Sequence, residues 1–244
     1  MLRGVAATTD ALLERLASAP EQTGLFLDFD GVLAPIVSRP EDATLPADTR
    51  AELERLARRY ALVSVVSGRA GDDVRARIGV DQVVVVGSHG LELDPQAERW
   101  RARIAEFAAE AGWPETELKG LTVSFHFRNA PDERQALRTL ERVAENAVEA
   151  GLVARFGRKV LEVLPPLDSN KGTAVRTLVT DAGLTRALVA GDDTTDLDSF
   201  RAVDGLDVAV RVAVVSDEGP SALRDAADVV VETTGEFLEL LRRL

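Results

Sequence analysis

The sequence predicts an α/β fold: a Rossmann-like parallel-sheet core with an inserted α+β cap. Three observations point there. Short apolar runs at 24–27, 61–66, 83–86 and 186–190 alternate with segments that carry one apolar helical face, the pattern of strands buried on both sides in a parallel sheet. Between about 95 and 165 the pattern changes to clean two-residue alternation, which belongs to antiparallel strands with one face packed and one polar. After Pro165-Pro166 the first pattern returns. The core is therefore expected at 1–94 and 166–244, with the cap at 95–165.

The elements follow in order. Leu12, Leu13 and Leu16 give 9–18 one helical face. The run 24–27 reads as a strand ending at Asp28. Leu53, Leu56, Ala57 and Tyr60 have the spacing of one helix face over 48–59. Strand 61–66, a helix at 70–77 and the valine run 83–86 complete the first half. A helix is expected at 100–111, where Arg99, Arg101 and Arg103 around Trp100 read as a solvated face. In 121–128, Leu121, Val123, Phe125 and Phe127 face one way and Thr122, Ser124, His126 and Arg128 the other. A helix at 131–150 presents Leu140, Val143, Ala144, Ala147 and Val148 on one side. Strands 152–156 and 159–164 should meet at a Gly157-Arg158 turn. Helix 171–182, strand 186–190, helix 194–203, strands 207–211 and 228–231 and helix 234–243 close the chain.

Composition bounds the function. At roughly 150 residues per domain, 244 residues make one large domain or two small ones. A hydrophobic fraction of 45% excludes a disordered chain. Acids outnumber bases 41 to 29, a net charge of −12, which argues against nucleic-acid binding. Without cysteine there is no disulfide, thiol nucleophile or thiolate metal site. The first twenty residues carry Asp10, Glu14 and Arg15, unlike a secretory leader. No run approaches the roughly 18 apolar residues of a membrane span. The expectation is a cytoplasmic protein with no membrane, no nucleic acid and no obligate protein partner.

Four clusters carry chemistry, and three fall at C-terminal ends of predicted parallel strands, where open α/β sheets bind ligands. In Asp28-Phe29-Asp30-Gly31, two carboxylates project to the same side and the glycine lets the chain turn. Such a pair suits a magnesium ion, which takes one or two carboxylates plus waters and phosphate, and an aspartate can itself accept phosphate; the bland alternative is a capped turn. Ser67-Gly68-Arg69 offers a hydroxyl and backbone amides to an anion, or a plain serine cap. Lys171 opens a helix against the dipole, which is sensible if it faces phosphate or the aspartates; the alternative is a solvated surface lysine. Asp192, Asp193, Asp196 and Asp198 crowd the end of strand 186–190. Asp198 reads as a helix-terminal acid, whereas Asp192 ends a buried strand and calls for a cation.

In this order the four clusters resemble the motifs of the haloacid-dehalogenase-like phosphatase superfamily. Leu33-Ala34-Pro35-Ile36, Gly87-Ser88-His89-Gly90-Leu91-Glu92, Ser124-Phe125-His126-Phe127-Arg128, Glu162-Val163-Leu164-Pro165 and Gly191-Asp192-Asp193-Thr194-Thr195-Asp196 are similar to those of its trehalose-6-phosphate phosphatase branch, over about 23–240. The resemblance implies Asp28 as nucleophile and Asp30 as general acid and base. It implies magnesium held by Asp28, the Asp30 carbonyl and Asp192, with Asp196 in support, and phosphate held by Ser67, Gly68 and Lys171. It places sugar recognition on Arg69, His89, Gly90, Glu92, His126, Arg128 and Glu162. Leu164 stands where the family has arginine and Leu197 where it has glutamate, which keeps another phosphorylated disaccharide, a pseudo-disaccharide or a sugar-phosphoglycerate open as substrate. A non-catalytic ligand-binding module on the same scaffold is the rival of a different class. Against it, Asp28, Asp30, Ser67, Lys171 and Asp192 are all present.

Overall fold

The computed structural model describes residues 8–37, 39–157, 159–215 and 219–244. In chain order the elements begin with α1 (Thr9–Ala17), β1 (Thr23–Leu27), α2 (Ala47–Arg59), β2 (Leu62–Val66), α3 (Gly71–Ile78) and β3 (Val84–Val86). Next come α4 (Arg101–Ala111), β4 (Thr116–Leu118), β5 (Val123–His126), α5 (Glu133–Glu149), β6 (Val153–Gly157) and β7 (Val160–Leu164). Last are α6 (Lys171–Asp181), β8 (Arg186–Gly191), α7 (Asp196–Ala202), β9 (Val208–Val214), α8 (Ser221–Ala226), β10 (Val229–Val231) and α9 (Thr234–Leu241). Two compact units divide the chain: residues up to Gly90 together with Asn170–Leu244, and Leu91–Ser169.

The first unit is a six-stranded parallel sheet in the order β10-β9-β8-β1-β2-β3. Leu25 and Leu27 of β1 face a cluster built by α1, α2, α3 and α9. Phe26 faces the opposite cluster, built by α6, α7 and α8. The continuous apolar strands are thus buried on both sides, as their composition predicts. From β1 the chain passes outward to β2 and β3, then returns to β8 on the other side of β1. The β1/β8 boundary is therefore the point where strand order reverses, the place where such sheets bind ligands.

The second unit is a four-stranded antiparallel sheet in the order β4-β5-β7-β6. Val123, Phe125, Leu161 and Val163 pack against Ile104, Phe107, Leu140 and Ala147 of α4 and α5. Leu121 departs from the expected face: it joins Leu91, Ala97, Leu164 and partly buried Leu167 in a separate small cluster. That cluster draws Leu91 and Leu167 into this unit, beyond the 95–165 expected from alternation. Val148, read as part of the packed face of α5, is 63% exposed; it lies near the helix end, beyond the last buried residue Ala147. β4 and α8 have no counterpart in the sequence reading, because three and six residues are too short to show a period. The expected Gly157-Arg158 turn involves Arg158, which lies outside the described residues; Gly157 ends β6 opposite Val160.

Candidate active site

Asp28 continues β1 by one residue, its N–H donating to the Ala190 carbonyl of β8 at 3.1 Å. The chain then doubles back. Gly31 N–H donates to Ala34 O at 2.8 Å and Ala34 N–H to Phe29 O at 2.8 Å. Gly31 has φ +76°, and a Cβ there would lie 2.2 Å from Asp192 Oδ2, so this position needs glycine on both counts. Across the switch point, Asp192 and Asp196 follow β8. Asp196 packs so closely on Gly191 that a Cβ there would sit 2.2 Å from the Asp196 Cβ.

Lys171, the first residue of α6, is 3% exposed and spans the gap. Its Nζ donates to Asp28 Oδ2 at 2.6 Å and to Asp196 Oδ1 at 2.8 Å. Asn170 caps the helix by a reciprocal pair of hydrogen bonds with Thr173, which fixes where the lysine starts. Burial opposes the ammonium charge, but Asp196 and Asp28 hold its pKa above the ordinary lysine range. The carboxylates respond in the opposite direction. Burial, only partly offset by Lys171, pushes Asp28 up to about 7. Burial and the neighbouring Asp28 charge push Asp192 up to about 8. With all three buried or half-buried acids ionised, one lysine leaves negative charge uncompensated in low dielectric; the raised values show protons relieving it, and a cation would do the same.

The donor set fits a hard cation. Carboxylate oxygens of Asp28, Asp192 and Asp196 lie within 4.8 Å of one another, an all-oxygen set suited to magnesium. Asp196 uses both oxygens within the protein: Oδ1 on Lys171, and Oδ2 on the backbone N–H groups of Asp192 and Asp193 at 3.0 and 3.1 Å. It shapes the loop that presents Asp192. Asp193 is exposed and accepts from Thr194 N–H, and Asp198 pairs with Arg201, so both are helix-end acids.

Ser67 follows β2, buried, and its Oγ accepts the Arg69 N–H at 3.2 Å. The segment 87–90 braces this turn from behind: Ser88 N–H donates to Arg69 O at 2.7 Å and His89 N–H to Ser67 O at 2.9 Å. The His89 ring lies against Gly68, where a Cβ would be 2.5 Å from it, and Gly90 lies against the Asn170 carbonyl. His89 and Gly90 thus sit beside the Ser67–Arg69 turn and the start of α6. The Arg69 guanidinium is committed: Nε and Nη2 donate to both oxygens of Asp30 at 2.6 and 2.9 Å.

In the second unit the register places Glu117, Ser124, Glu162 and Arg155 in one row across the sheet. Glu162 Oε1 accepts from Ser124 Oγ and Lys119 Nζ, each at 3.3 Å. His126 Nε2 lies 2.9 Å from Glu117 Oε2. Thr122 and Ser124 are buried, so the polar face expected from alternation is not open along its whole length. Glu162 covers Ser124. Arg128 is exposed, in the turn after β5. Glu92 is half-buried, just after the kink at His89 and Gly90. The structure adds Glu117 and Lys119, which the sequence reading missed. Glu117-Leu118-Lys119 alternates, but over only three residues.

A parallel sheet with aspartates and a lysine at its switch point and a serine at the end of the next strand, interrupted in sequence by a separate antiparallel unit, has the haloacid-dehalogenase-like fold with a cap. The trehalose-phosphatase family model matches residues 26–113 and 114–230. The chain belongs to the trehalose-phosphatase family. It is 35% identical over 225 residues to an uncharacterized glycosyl hydrolase of Mycobacterium tuberculosis, covering 82% of this chain and 17% of that protein. It is 35% identical over 253 residues to the trehalose-phosphate phosphatase of Mycobacterium avium, covering 93% of this chain and 63% of the relative. The chain thus spans less than two thirds of the length of either. The C-terminal domain of a C. albicans trehalose-6-phosphate phosphatase shares the fold with TM-score 0.74 and 21% identity, covering 96% of each chain. No helix among the described residues is long and apolar enough to cross a membrane.

Proposed function

We propose that this protein is a magnesium-dependent phosphatase that hydrolyses trehalose 6-phosphate to trehalose and inorganic phosphate. The observation that carries the reading is Asp28 at the switch point, buried, with Lys171 Nζ at 2.6 Å and Asp192 beside it. Membership of the trehalose-phosphatase family supports trehalose 6-phosphate as that substrate.

Asp28 is the nucleophile. Its carboxylate oxygen forms a bond to phosphorus as the ester oxygen leaves, giving an aspartyl-phosphate. Asp30, two residues on, protonates the departing sugar oxygen and then takes a proton from the water that attacks phosphorus. Lys171, Ser67 and the Gly68 backbone hold the phosphoryl oxygens, where charge must be offset in the transition state. Asp28, the Asp30 carbonyl and Asp192 would hold magnesium, with Asp196 orienting the loop, and the cation would supply positive charge to the phosphoryl oxygens. A protein of net charge −12 must provide such positive charge locally to admit an anionic substrate. Glu162, Lys119, Glu117 and His126 offer the hydrogen-bonding groups that a disaccharide needs. Leu164 stands at the one cap position where the family's arginine is missing, and it is buried in an apolar cluster. It packs, and leaves sugar recognition to those polar neighbours.

A panel of sugar phosphates tests the reading. Trehalose 6-phosphate should give the highest kcat/KM, with release abolished by a chelator and restored by magnesium. Preference for another phosphorylated disaccharide or for a sugar-phosphoglycerate would reassign the substrate. No release from any ester would leave the non-catalytic module.

A further inference from the structure

We propose that Asp73 is a positioning residue for Asp30, acting through Arg69; the inference rests on the phosphatase reading and on Asp30 as its acid. Arg69 grips both oxygens of Asp30, at 2.6 and 2.9 Å. This bidentate fork fixes the plane of the carboxylate as well as its place. The third nitrogen, Nη1, donates to Asp73 Oδ2 at 3.2 Å, and the guanidinium lies 5.7 Å from the centroid of the buried Phe29 ring. The side chain of Arg69 is only 10% exposed, so little water replaces a partner that is removed.

Asp73 is itself held from the far side. Arg77 Nε donates to both its oxygens at 2.9 Å, and Arg77 Nη1 donates to the carbonyls of Ala43 and Glu41. Arg69, Asp73 and Arg77 follow one another at four-residue intervals into and along α3, the spacing that stacks side chains on one helix face. A chain of alternating charge therefore runs from the backbone at 41–43 to the Asp30 carboxylate. Two arginines and two aspartates balance, so each link keeps its counter-charge. Without Asp73, Arg69 has one anchor and is free to swing with Asp30.

Orientation matters because of what Asp30 does. In the acid form one Asp30 oxygen stays on Arg69 and the other carries the proton toward the ester. That O–H passes its proton to the ester oxygen while the phosphorus–oxygen ester bond breaks and the Asp28–phosphorus bond forms, leaving Asp30 as the carboxylate that Arg69 holds by both oxygens. A sugar alkoxide needs that proton; a nitrophenolate leaves without it.

The test is Asp73→Asn in the full chain, with kcat/KM measured on trehalose 6-phosphate and on p-nitrophenyl phosphate. A positioned general acid supplies roughly 10²–10⁴-fold, so loosening it should cost about tenfold or more on the sugar ester and about twofold or less on the aryl ester. Arg77→Lys, which keeps the charge and loses the fork on Asp73, should show the same selectivity more weakly, and it carries the test if Asp73→Asn fails to fold. Equal losses on both esters, or none, would overturn the positioning role while leaving the phosphatase reading intact. A wild-type protein inactive on both esters would overturn that reading and this inference with it.

Discussion

Replacing Lys171 with methionine removes the ammonium that bridges Asp28 and Asp196 at the switch point while keeping length and apolar volume. Lys171 is 3% exposed and bridges Asp28 and Asp196 at 2.6 and 2.8 Å. The substitution leaves Asp28, Asp192 and Asp196, whose oxygens lie within 4.8 Å of one another, without that counter-charge. Removing one partner of a buried ion pair costs about 3–5 kcal/mol. Two contacts are lost, but Asp28 and Asp192 already hold protons more tightly than free carboxylates, so uptake of a proton keeps the cost inside that range. At roughly 2–4 °C per kcal/mol for a chain of this size, the melting temperature in chelator should fall by about 6–20 °C. Magnesium at about 100 times its Kd adds about 2.7 kcal/mol to any state that binds it. It should therefore return roughly 5–10 °C to a variant that retains the three carboxylates. Calorimetric melts of wild type and variant, with chelator and with magnesium, read this directly. A variant melting within about 2 °C of wild type in chelator would refute the counter-charge role that buried ion pairs require.

Other expectations follow from the same geometry. Asp28 and Asp192 move from 3.8 unfolded to about 7 and about 8 folded, so between those values the folded state binds more protons. In chelator their contribution to stability is full below about pH 4 and is lost as pH rises through 7–8; a stability that climbs across pH 5–8 would contradict it. Asp28→Asn should abolish turnover and leave the fold intact, checked by phosphate release alongside circular dichroism. Glu162→Ala should reduce kcat/KM on trehalose 6-phosphate by about tenfold or more, and far less on p-nitrophenyl phosphate, because truncation removes remote binding energy; equal losses would mark Glu162 as a support of the sheet. Leu164→Arg should lower stability by about 2–4 kcal/mol without improving sugar turnover, since Leu164 is 5% exposed among Leu91, Ala97 and Leu121. A gain in turnover would show that the position reads sugar.

The parallel core was legible because its strands are apolar on both faces: Leu25, Phe26 and Leu27 bury in succession on alternate sides of the sheet. Asp28 and Asp192 stood out because each follows an apolar strand run, and Lys171 because it opens a helix against the dipole. The polar row of the second unit was less so. Its shortest strand, Thr116–Leu118, offers no period, so Lys119 and Glu117 stayed invisible until pairing with β5 brought them to Ser124 and Glu162. Leu121 fits the alternation of 121–128 on paper, but the strand itself begins only at Val123, and ahead of it Leu121 packs in a separate cluster. The Arg69–Asp73–Arg77 ladder was written in the sequence as a four-residue spacing, yet its target, Asp30, lies 39 residues away and no periodicity reveals it.

The most direct test of the phosphatase reading traps the phosphoryl group in flight. Wild-type protein turning over trehalose 6-phosphate with magnesium is quenched in acid, digested and analysed by mass spectrometry. The expected result is one phosphoryl group on the peptide containing Asp28, on the Asp28 side chain, and none in the Asp28→Asn variant. Turnover at the normal rate with no phosphorylated peptide, or with the phosphoryl group on another residue, would contradict it.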